Sequence, residues 1–218
     1  MVTGDEIVTP ANWRTYLVTQ ESLSAGRTTS EIVDAAIAGG VDVVQLREKG
    51  RPIRERYELA RSLRARTAEA GVPLVVNDRV DLAMAIDADG VHLGQSDLPV
   101  SCARDLLDAD AIVGCSAATV EEAVAAERAG ADYLGTGSVY GTTSKDVEPD
   151  RDGIGPEGIA AVVEAVSIPV IAIGGITHEN ASAVIDAGAS GVAVVSEITM
   201  ADDPKTATET LRDAVTSG

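Results

Sequence analysis

Short apolar runs alternate with Ala-rich amphipathic stretches along almost the whole chain, and this alternation restricts the fold more than any other feature of the sequence. Eight runs have the length of strands, are rich in β-branched residues and are apolar on both faces, which is typical of strands buried in a parallel sheet. They cover residues 16–19, 41–46, 73–76, 90–93, 111–115, 132–135, 169–173 and 191–195. The stretches with helical spacing cover 30–38, 53–70, 82–86, 103–107, 120–129, 158–165, 180–187 and 206–215.

Eight strand–helix units within 218 residues indicate an α/β protein, a (β/α)8 TIM barrel that forms a single domain over residues 1–218. We expect residues 1–12 to be a flexible N-terminal lead. The competing architecture is an open, doubly wound sheet, which normally carries a Gly-rich dinucleotide-binding turn after its first strand. Here that turn reads YLVTQESL and contains no glycine. The sequence therefore favours the barrel.

A local pattern recurs where four predicted helices give way to strands. It reads AGGVDVVQL, DADGVHLG, AGADYLGTG and AGASGVAVVS, at residues 38–46, 87–94, 129–137 and 187–196. Each copy places Gly or Asp where a helix has to end in a tight turn or at a positive φ before a strand begins. The pattern supports repetition of one strand–helix unit.

The charge balance excludes some classes of partner. There are 35 acidic and 17 basic residues, so the formal net charge is −18. Nucleic acid and anionic membranes repel such a surface, and we expect neither as a partner. No secretory signal or membrane-length apolar stretch is evident, so we expect a cytoplasmic protein that keeps Cys102 and Cys115 as reduced thiols. The Lys-poor, acidic composition resembles that of proteins from high-salt cytoplasm.

Polar residues follow the second predicted strand, at the end where a TIM barrel has its chemistry. Period-two alternation places Gln45, Arg47 and Lys49 on one side, facing the mouth of the barrel. Two cations beside an amide suggest an anion-binding site. The alternative is a solvated turn whose cations pair with Glu48.

Carboxylates follow the third and fourth predicted strands. Asp78 and Asp97 are hard oxygen ligands without a nearby cysteine, which suits Mg²⁺ bridged to a substrate polyphosphate. Taken alone, the two residues would more often cap helices or form turns. We interpret His92 as a packed, hydrogen-bonded histidine with no catalytic role.

The later strands end in hydroxyls and glycines. Ser116 follows the fifth strand, and Thr142, Thr143, Ser144 and Lys145 lie in the longest loop, after the sixth. Gly175 and Ser196 follow the seventh and eighth strands, where many barrels form a phosphate cradle from backbone N–H groups. This part of the mouth is predicted to bind phosphate, a property that does not by itself identify a reaction.

Together these motifs resemble the thiamine-phosphate synthase family over residues 14–215. The resemblance rests on QLREK (45–49), VVNDRVDLA (75–83), DGVHLGQSDLP (89–99), GCSAAT (114–119), the TTSK loop (142–145), IAIGGIT (171–177) and GVAVVSEI (191–198). It implies a cytoplasmic transferase of thiamine biosynthesis. Such an enzyme joins 4-amino-5-hydroxymethyl-2-methylpyrimidine diphosphate to 4-methyl-5-(2-phosphoethyl)thiazole and releases pyrophosphate with Mg²⁺.

The resemblance also implies roles for individual residues. Asp78 and Asp97 would bind Mg²⁺. The residues Gln45, Arg47, Lys49 and Asn77 would hold the pyrimidine diphosphate, Ser116 and Lys145 would contact its diphosphate, and Thr142, Thr143, Ser144, Gly175, Val195 and Ser196 would hold the thiazole phosphate. The catalytic groups would be Arg47, Lys49, Ser116 and Lys145, which stabilise the departing pyrophosphate. The chain departs from the family pattern at Ser138, Gly141, Ser144 and Glu197.

Two alternatives to the synthase stay open at this point. One is a thiazole tautomerase on the same barrel, although tautomerisation needs no diphosphate site. The other is a non-catalytic phosphate-binding barrel. The sequence leaves the oligomeric state open, a homo-oligomer included.

The net charge of −18 predicts that salt stabilises the fold. Screening shortens the range of charge repulsion from about 30 Å at 0.01 M to about 3 Å at 1 M ionic strength. We therefore expect the midpoint of thermal unfolding to rise substantially from low to molar KCl. Differential scanning calorimetry across that range measures it, and a midpoint that stays level or falls contradicts the prediction.

Overall fold

The strands close into a barrel, as the sequence predicts. The computed structural model describes residues 9–141 and 153–216, in which eight parallel strands are hydrogen-bonded in chain order and β8 returns to pair with β1. They are β1 (Thr15–Val18), β2 (Val43–Leu46), β3 (Leu74–Asn77), β4 (Gly90–Leu93), β5 (Ile112–Ser116), β6 (Tyr133–Thr136), β7 (Val170–Ile173) and β8 (Gly191–Val194). An open doubly wound sheet is therefore excluded.

Helices cover the outside of the barrel. They are α1 (Thr29–Ala38), α2 (Ile53–Ala70), α3 (Val80–Ile86), α4 (Val100–Leu106), α5 (Val120–Arg128), α6 (Gly155–Ala165), α7 (Ala181–Asp186), α8 (Ser196–Thr199) and α9 (Pro204–Thr216). The one-turn helix α8 was not predicted, because four residues are too few to show a helical period. Within the described ranges, no helix combines the length and apolar character needed to cross a membrane. Of the predicted N-terminal lead, residues 1–8 lie outside the described residues, and Pro10–Asn12 form a 3₁₀ turn.

Aspartates at the amino ends of alternate strands join neighbouring strands. Asp42 Oδ2 accepts hydrogen bonds from the backbone N–H groups of Arg14 (2.9 Å) and Thr15 (2.8 Å). Asp89 Oδ2 accepts one from Leu74 N (2.7 Å), and Asp132 Oδ2 accepts one from Val113 N (2.7 Å). Each carboxylate thus satisfies an N–H at the start of the preceding strand.

The recurrent sequence pattern therefore marks the strand starts at the bottom of the barrel. Its turn residues have the positive φ values expected of them, with Gly40 at 82°, Asp87 at 54°, Gly130 at 96° and Gly188 at 97°.

Two apolar layers hold the structure together. The larger lies between the strands and the helices. The smaller fills the barrel itself and contains the only Trp of the sequence and two of its four Tyr, namely Trp13, Tyr16 and Tyr133. The indole ring centroid lies 5.6 Å from that of Tyr16 and 5.1 Å from that of Tyr133, both in edge-to-face arrangements. The interior is thus packed with side chains, which leaves the mouth as the place for chemistry.

Gly191 provides a test of this packing. A Cβ added there would overlap the backbone carbonyl oxygen of Trp13, which cannot move without shifting β1 and the barrel floor. We expect Gly191→Ala to lower the free energy of unfolding by about 1–3 kcal/mol, measured by urea denaturation. Gly50→Ala is the matched control, because nothing lies within 4 Å of an added Cβ at Gly50. Equal stabilities of the two variants would contradict the assignment.

Candidate active site

The ends of β2 and β3 bring predicted site residues together. Lys49 Nζ lies 3.1 Å from Asp78 Oδ2, and Arg56 Nη1 lies 3.7 Å from Asp78 Oδ1. Asp78 adopts the left-handed conformation, with φ of 59°, directly after β3. Few residues other than Gly, Asn and Asp adopt this conformation readily. The carboxylate is thus held between two cations at the mouth.

Arg47 is anchored from the loop after β1. Its Nη1 donates to Gln20 Oε1 (2.8 Å), and its backbone N–H donates to Thr19 Oγ1 (3.0 Å). Burial lowers the pKa of the Arg47 guanidinium, and the carboxylates of Asp78 and Glu48 oppose this shift. A cation that has lost part of its hydration gains more from a bound anion than an exposed one does. Arg47 is therefore a partly buried cation that the loop after β1 holds in place, and its role as an anion ligand stays a prediction.

Glu48 differs from the alternative interpretation, in which it lies in a solvated turn and pairs with the neighbouring cations. Its side chain is buried, with 6% of the residue exposed, and both carboxylate oxygens accept from the Glu21 backbone N–H at 3.1 Å. Thr29 Oγ1 donates to Glu48 Oε1 as well (3.0 Å). Glu48 therefore ties the loop after β1, which carries Gln20, to the end of β2.

The proposed metal ligands have different surroundings. Asp78 Oδ1 is buried and receives no hydrogen bond from the described residues. Asp97 Oδ2 instead accepts from the Gly94 backbone N–H at 2.6 Å, which agrees with the alternative interpretation of Asp97 as a turn former. Across residues 9–141 and 153–216, no three or more His, Cys, Asp or Glu side chains group in a way that could hold a metal ion. The described protein groups alone do not complete a coordination shell.

Ser116 ends β5 beside a buried histidine. His92 Nε2 lies 2.9 Å from Ser116 Oγ, and Gln95 Nε2 donates to the Ser116 carbonyl at 2.6 Å. Gln45 points into the barrel, where its Nε2 donates to the Tyr16 hydroxyl at 2.7 Å. His92 is packed and hydrogen-bonded, as the sequence analysis predicted. Asn77 is half-buried at the end of β3.

The glycines after β7 form the far side of the mouth. Gly174 and Gly175 have φ of 103° and 66°, and a Cβ on Gly175 would lie 2.5 Å from the Gly141 carbonyl oxygen. Asn180 closes this loop, because its Nδ2 donates to the Gly175 carbonyl (3.1 Å). Val195 and Ser196 follow β8, which pairs directly with β7. The predicted residues Thr142, Thr143, Ser144 and Lys145 lie outside the described residues.

Glu197, one of the departures from the family pattern, is turned toward His178. Its Oε1 lies 2.7 Å from His178 Nδ1 and accepts from the His178 backbone N–H at 3.0 Å. The hydrogen bond to Glu197 raises the pKa of His178. One carboxylate oxygen of Glu197 is therefore engaged by both the backbone and the ring of His178.

Sequence reasoning missed several residues that shape the site. Arg56 lies on α2 among several other arginines, so its sequence position does not distinguish it. Gln20 is in no motif, and Tyr133 appeared only as part of an apolar strand. Arg56 contacts Asp78, Gln20 contacts Arg47, and Tyr133 contacts the packed His92, each more than 20 positions away along the chain. Only Tyr133 could have been noticed in the sequence, because its polar hydroxyl stands within an apolar strand.

Comparison with known proteins identifies the family of this chain. The family model described as thiamine monophosphate synthase matches residues 15–198. The chain belongs to the thiamine monophosphate synthase family. It is 62% identical to the thiamine-phosphate synthase of Haloarcula marismortui over 95% of this chain and 99% of that protein. It is 60% identical to that of Natronomonas pharaonis, with 92% of this chain and 94% of that protein covered.

A solved structure of a thiamine phosphate pyrophosphorylase, from Pyrococcus furiosus, has the same fold. It superimposes with a TM-score of 0.87 at 42% identity and covers 95% of this chain and 98% of that one. Membership of the thiamine monophosphate synthase family confirms the predicted enzyme class, a transferase that makes thiamine phosphate. These matches favour neither the tautomerase nor the non-catalytic barrel.

The His178–Glu197 pair gives a prediction about pH. Since the pair raises the pKa of His178, its stabilising contribution is present below the ordinary histidine pKa and is lost as pH rises through the raised value. Glu197→Gln should return the His178 pKa toward its ordinary value in an NMR titration. Glu179→Gln is the control, because Glu179 has a weaker influence on His178. A larger decrease in the control than in Glu197→Gln would contradict the assignment.

Proposed function

We propose that the mouth of this barrel couples 4-amino-5-hydroxymethyl-2-methylpyrimidine diphosphate with 4-methyl-5-(2-phosphoethyl)thiazole, giving thiamine monophosphate and pyrophosphate. The observation that carries the proposal is the arrangement of Arg47, Lys49 and Arg56 around Asp78 in a member of this family. Three cations converge there in a chain whose net charge is −18. A site of this kind suits a small polyanion, which the rest of the surface repels.

The residues supply charge and position rather than a nucleophile. The bond between the pyrimidine methylene carbon and the diphosphate oxygen breaks, and its electron pair leaves with pyrophosphate. The electron-donating ring stabilises the resulting methylene cation, and the thiazole nitrogen lone pair then forms the new C–N bond. Arg47 and Lys49 hold the charge that develops on the leaving group, together with Ser116 and Lys145. Neither a strong base nor a covalent protein intermediate is required.

Mg²⁺ is the proposed cofactor, and the residues present fit it in one respect. Asp78 Oδ1 is a buried carboxylate oxygen without a hydrogen-bond donor among the described residues, as a ligand for a hard cation would be. Asp78 and Asp97 would hold the ion, and the substrate diphosphate would complete its coordination. When bound, Mg²⁺ neutralises charge on the diphosphate and makes it a better leaving group.

The mouth divides into two subsites in this proposal. Gln45 and Asn77 lie at the ends of β2 and β3 and would hold the pyrimidine. The thiazole phosphate would be held on the other side of the mouth, after β7 and β8, by Gly175, Val195 and Ser196. We propose that Thr142, Thr143 and Ser144 also contribute to this subsite. Backbone N–H groups bind phosphate well where glycine allows close approach. The proposed partners are thus the two small-molecule substrates. A cytoplasmic location stays a prediction.

Pyrophosphate release tests the proposal. Purified protein is given both substrates with Mg²⁺, and pyrophosphate and thiamine monophosphate are measured together. Equal formation of the two products supports coupling. Release of pyrophosphate without the second product would indicate simple hydrolysis, and isomerisation of the thiazole alone would indicate the tautomerase. Either result overturns the proposal.

Asp78→Asn tests the metal assignment within this function. Asn tolerates the left-handed backbone of Asp78 but removes the negative charge, so the fold should be kept while Mg²⁺ is lost. We expect kcat/KM at limiting Mg²⁺ to fall at least about 100-fold. Mg²⁺ binding, measured by calorimetry with pyrophosphate present, should weaken in parallel. Asp105→Asn, at an exposed position of α4, is the control and should change neither value.

A further inference from the structure

We propose that Tyr16 and Tyr133 are positioning residues, which set the tautomer of His92 and thereby direct the hydroxyl proton of Ser116 toward the diphosphate. This inference rests on the proposed function for the role of Ser116, and it adds the groups that make Ser116 a donor. Neither tyrosine contacts the substrates in the proposed arrangement. Both act through His92.

A continuous line of polar atoms crosses the barrel interior. Gln45 Nε2 lies 2.7 Å from the Tyr16 hydroxyl, which lies 2.8 Å from the Tyr133 hydroxyl. The Tyr133 hydroxyl lies 3.0 Å from His92 Nδ1, and His92 Nε2 lies 2.9 Å from Ser116 Oγ. The line begins at one predicted substrate residue, on β2, and ends at another, on β5.

The surrounding sequence makes room for this line. A Cβ on Gly114 would overlap the phenol ring of Tyr133, and a Cβ on Gly135 would lie 2.9 Å from His92 Cε1. Small residues on β5 and β6 therefore admit the two rings. Trp13 packs against Tyr16 and Tyr133 from the floor of the barrel. Since both phenols are fully buried, each hydroxyl would be costly without its partners.

The Gln45 amide, the first group of the line, determines which atom donates in each of the following hydrogen bonds. The Gln45 NH₂ group can only donate, so the Tyr16 oxygen accepts from it. Burial raises the pKa of both phenols, so each keeps the single proton that it can donate. Tyr16 then donates to Tyr133, and Tyr133 donates to His92 Nδ1.

An imidazole whose Nδ1 accepts a hydrogen bond carries its proton on Nε2, and this is the tautomer that the line of hydroxyls assigns to His92. Nε2–H in turn donates to Ser116 Oγ. The Ser116 proton is thereby free to donate outward, as an oxygen of a departing diphosphate requires. A Phe in place of Tyr133 would fill the same space and leave this tautomer without its donor.

Nuclear magnetic resonance of the substrate-free protein tests the tautomer directly. The sequence contains two histidines, so ¹⁵N-histidine labelling gives a simple spectrum, and His178→Gln assigns the remaining signals to His92. We expect the wild-type protein at neutral pH to carry the proton on Nε2. A proton on Nδ1 in the wild-type protein overturns the inference without any variant of the tyrosines.

Tyr133→Phe tests the consequence for catalysis. We expect His92 to lose its preference for the Nε2–H tautomer, and kcat to fall roughly 10-fold through loss of one hydrogen bond that orients the donor. The KM for the thiazole phosphate should change less than about 2-fold, because that subsite lies after β7 and β8. Tyr57→Phe, on the outer helix α2, is the matched control and should leave tautomer and kcat unchanged.

Tyr16→Phe keeps Tyr133, which donates to His92, and removes only the hydroxyl that precedes Tyr133 in the line. We therefore expect a smaller decrease in kcat than for Tyr133→Phe. This variant also serves if Tyr133→Phe does not fold. Unchanged kcat and tautomer in a folded Tyr133→Phe overturn the inference. The spectra need no substrate, so an inactive wild-type protein with the Nε2–H tautomer would overturn the proposed function and leave the tautomer assignment in place.

Discussion

Closure of eight parallel strands into a barrel is the constraint on which the other features depend. A closed barrel brings all eight carboxyl ends to one rim, so residues scattered from Gln45 to Ser196 share one mouth. Closure also creates an interior that only side chains can fill. In this chain, part of that space is filled by Tyr16, Tyr133 and His92, whose polar ends need partners. The side chains that fill the core therefore also orient the residues at the mouth.

The electrostatics of the mouth contrast with those of the rest of the chain. A net charge of −18 repels anions at long range, yet Arg47, Lys49 and Arg56 converge near one carboxylate. Asp78 pairs with Lys49 and Arg56 and so offsets the repulsion between these two cations, and its Oδ1 receives no hydrogen bond from the described residues. Glu48, buried beside them, uses its charge to fix the loop that holds Arg47. Local ion pairs and hydrogen bonds thus keep a cluster of cations at the mouth, although the net charge of the whole chain is negative.

Much of the site could be predicted because β-strand geometry is regular. Alternation predicts that Gln45, Arg47 and Lys49 lie on the side opposite Glu48, since successive side chains of a strand point to opposite sides. In the structure Glu48 is buried against the loop after β1, and Lys49 pairs with Asp78. The glycines of the loop after β7 were also readable as a turn, because their positive φ values, 103° at Gly174 and 66° at Gly175, favour glycine. The contribution of Arg56 was not readable. Its helix α2 carries several arginines, and only the packing of that helix against β3 selects the one that reaches Asp78.

The sequence by itself determined the strand–helix alternation, the barrel and the family, because periodicity and motifs are local properties of the chain. It also determined which residue types lie at the rim. The tertiary structure decided their partners: Gln20 for Arg47, the Glu21 backbone for Glu48, and Tyr133 for His92. These pairs are separated by 27 to 41 residues. Hydrogen bonds act over about 3 Å, so only the pairing and packing of the strands in the folded chain could bring such pairs together.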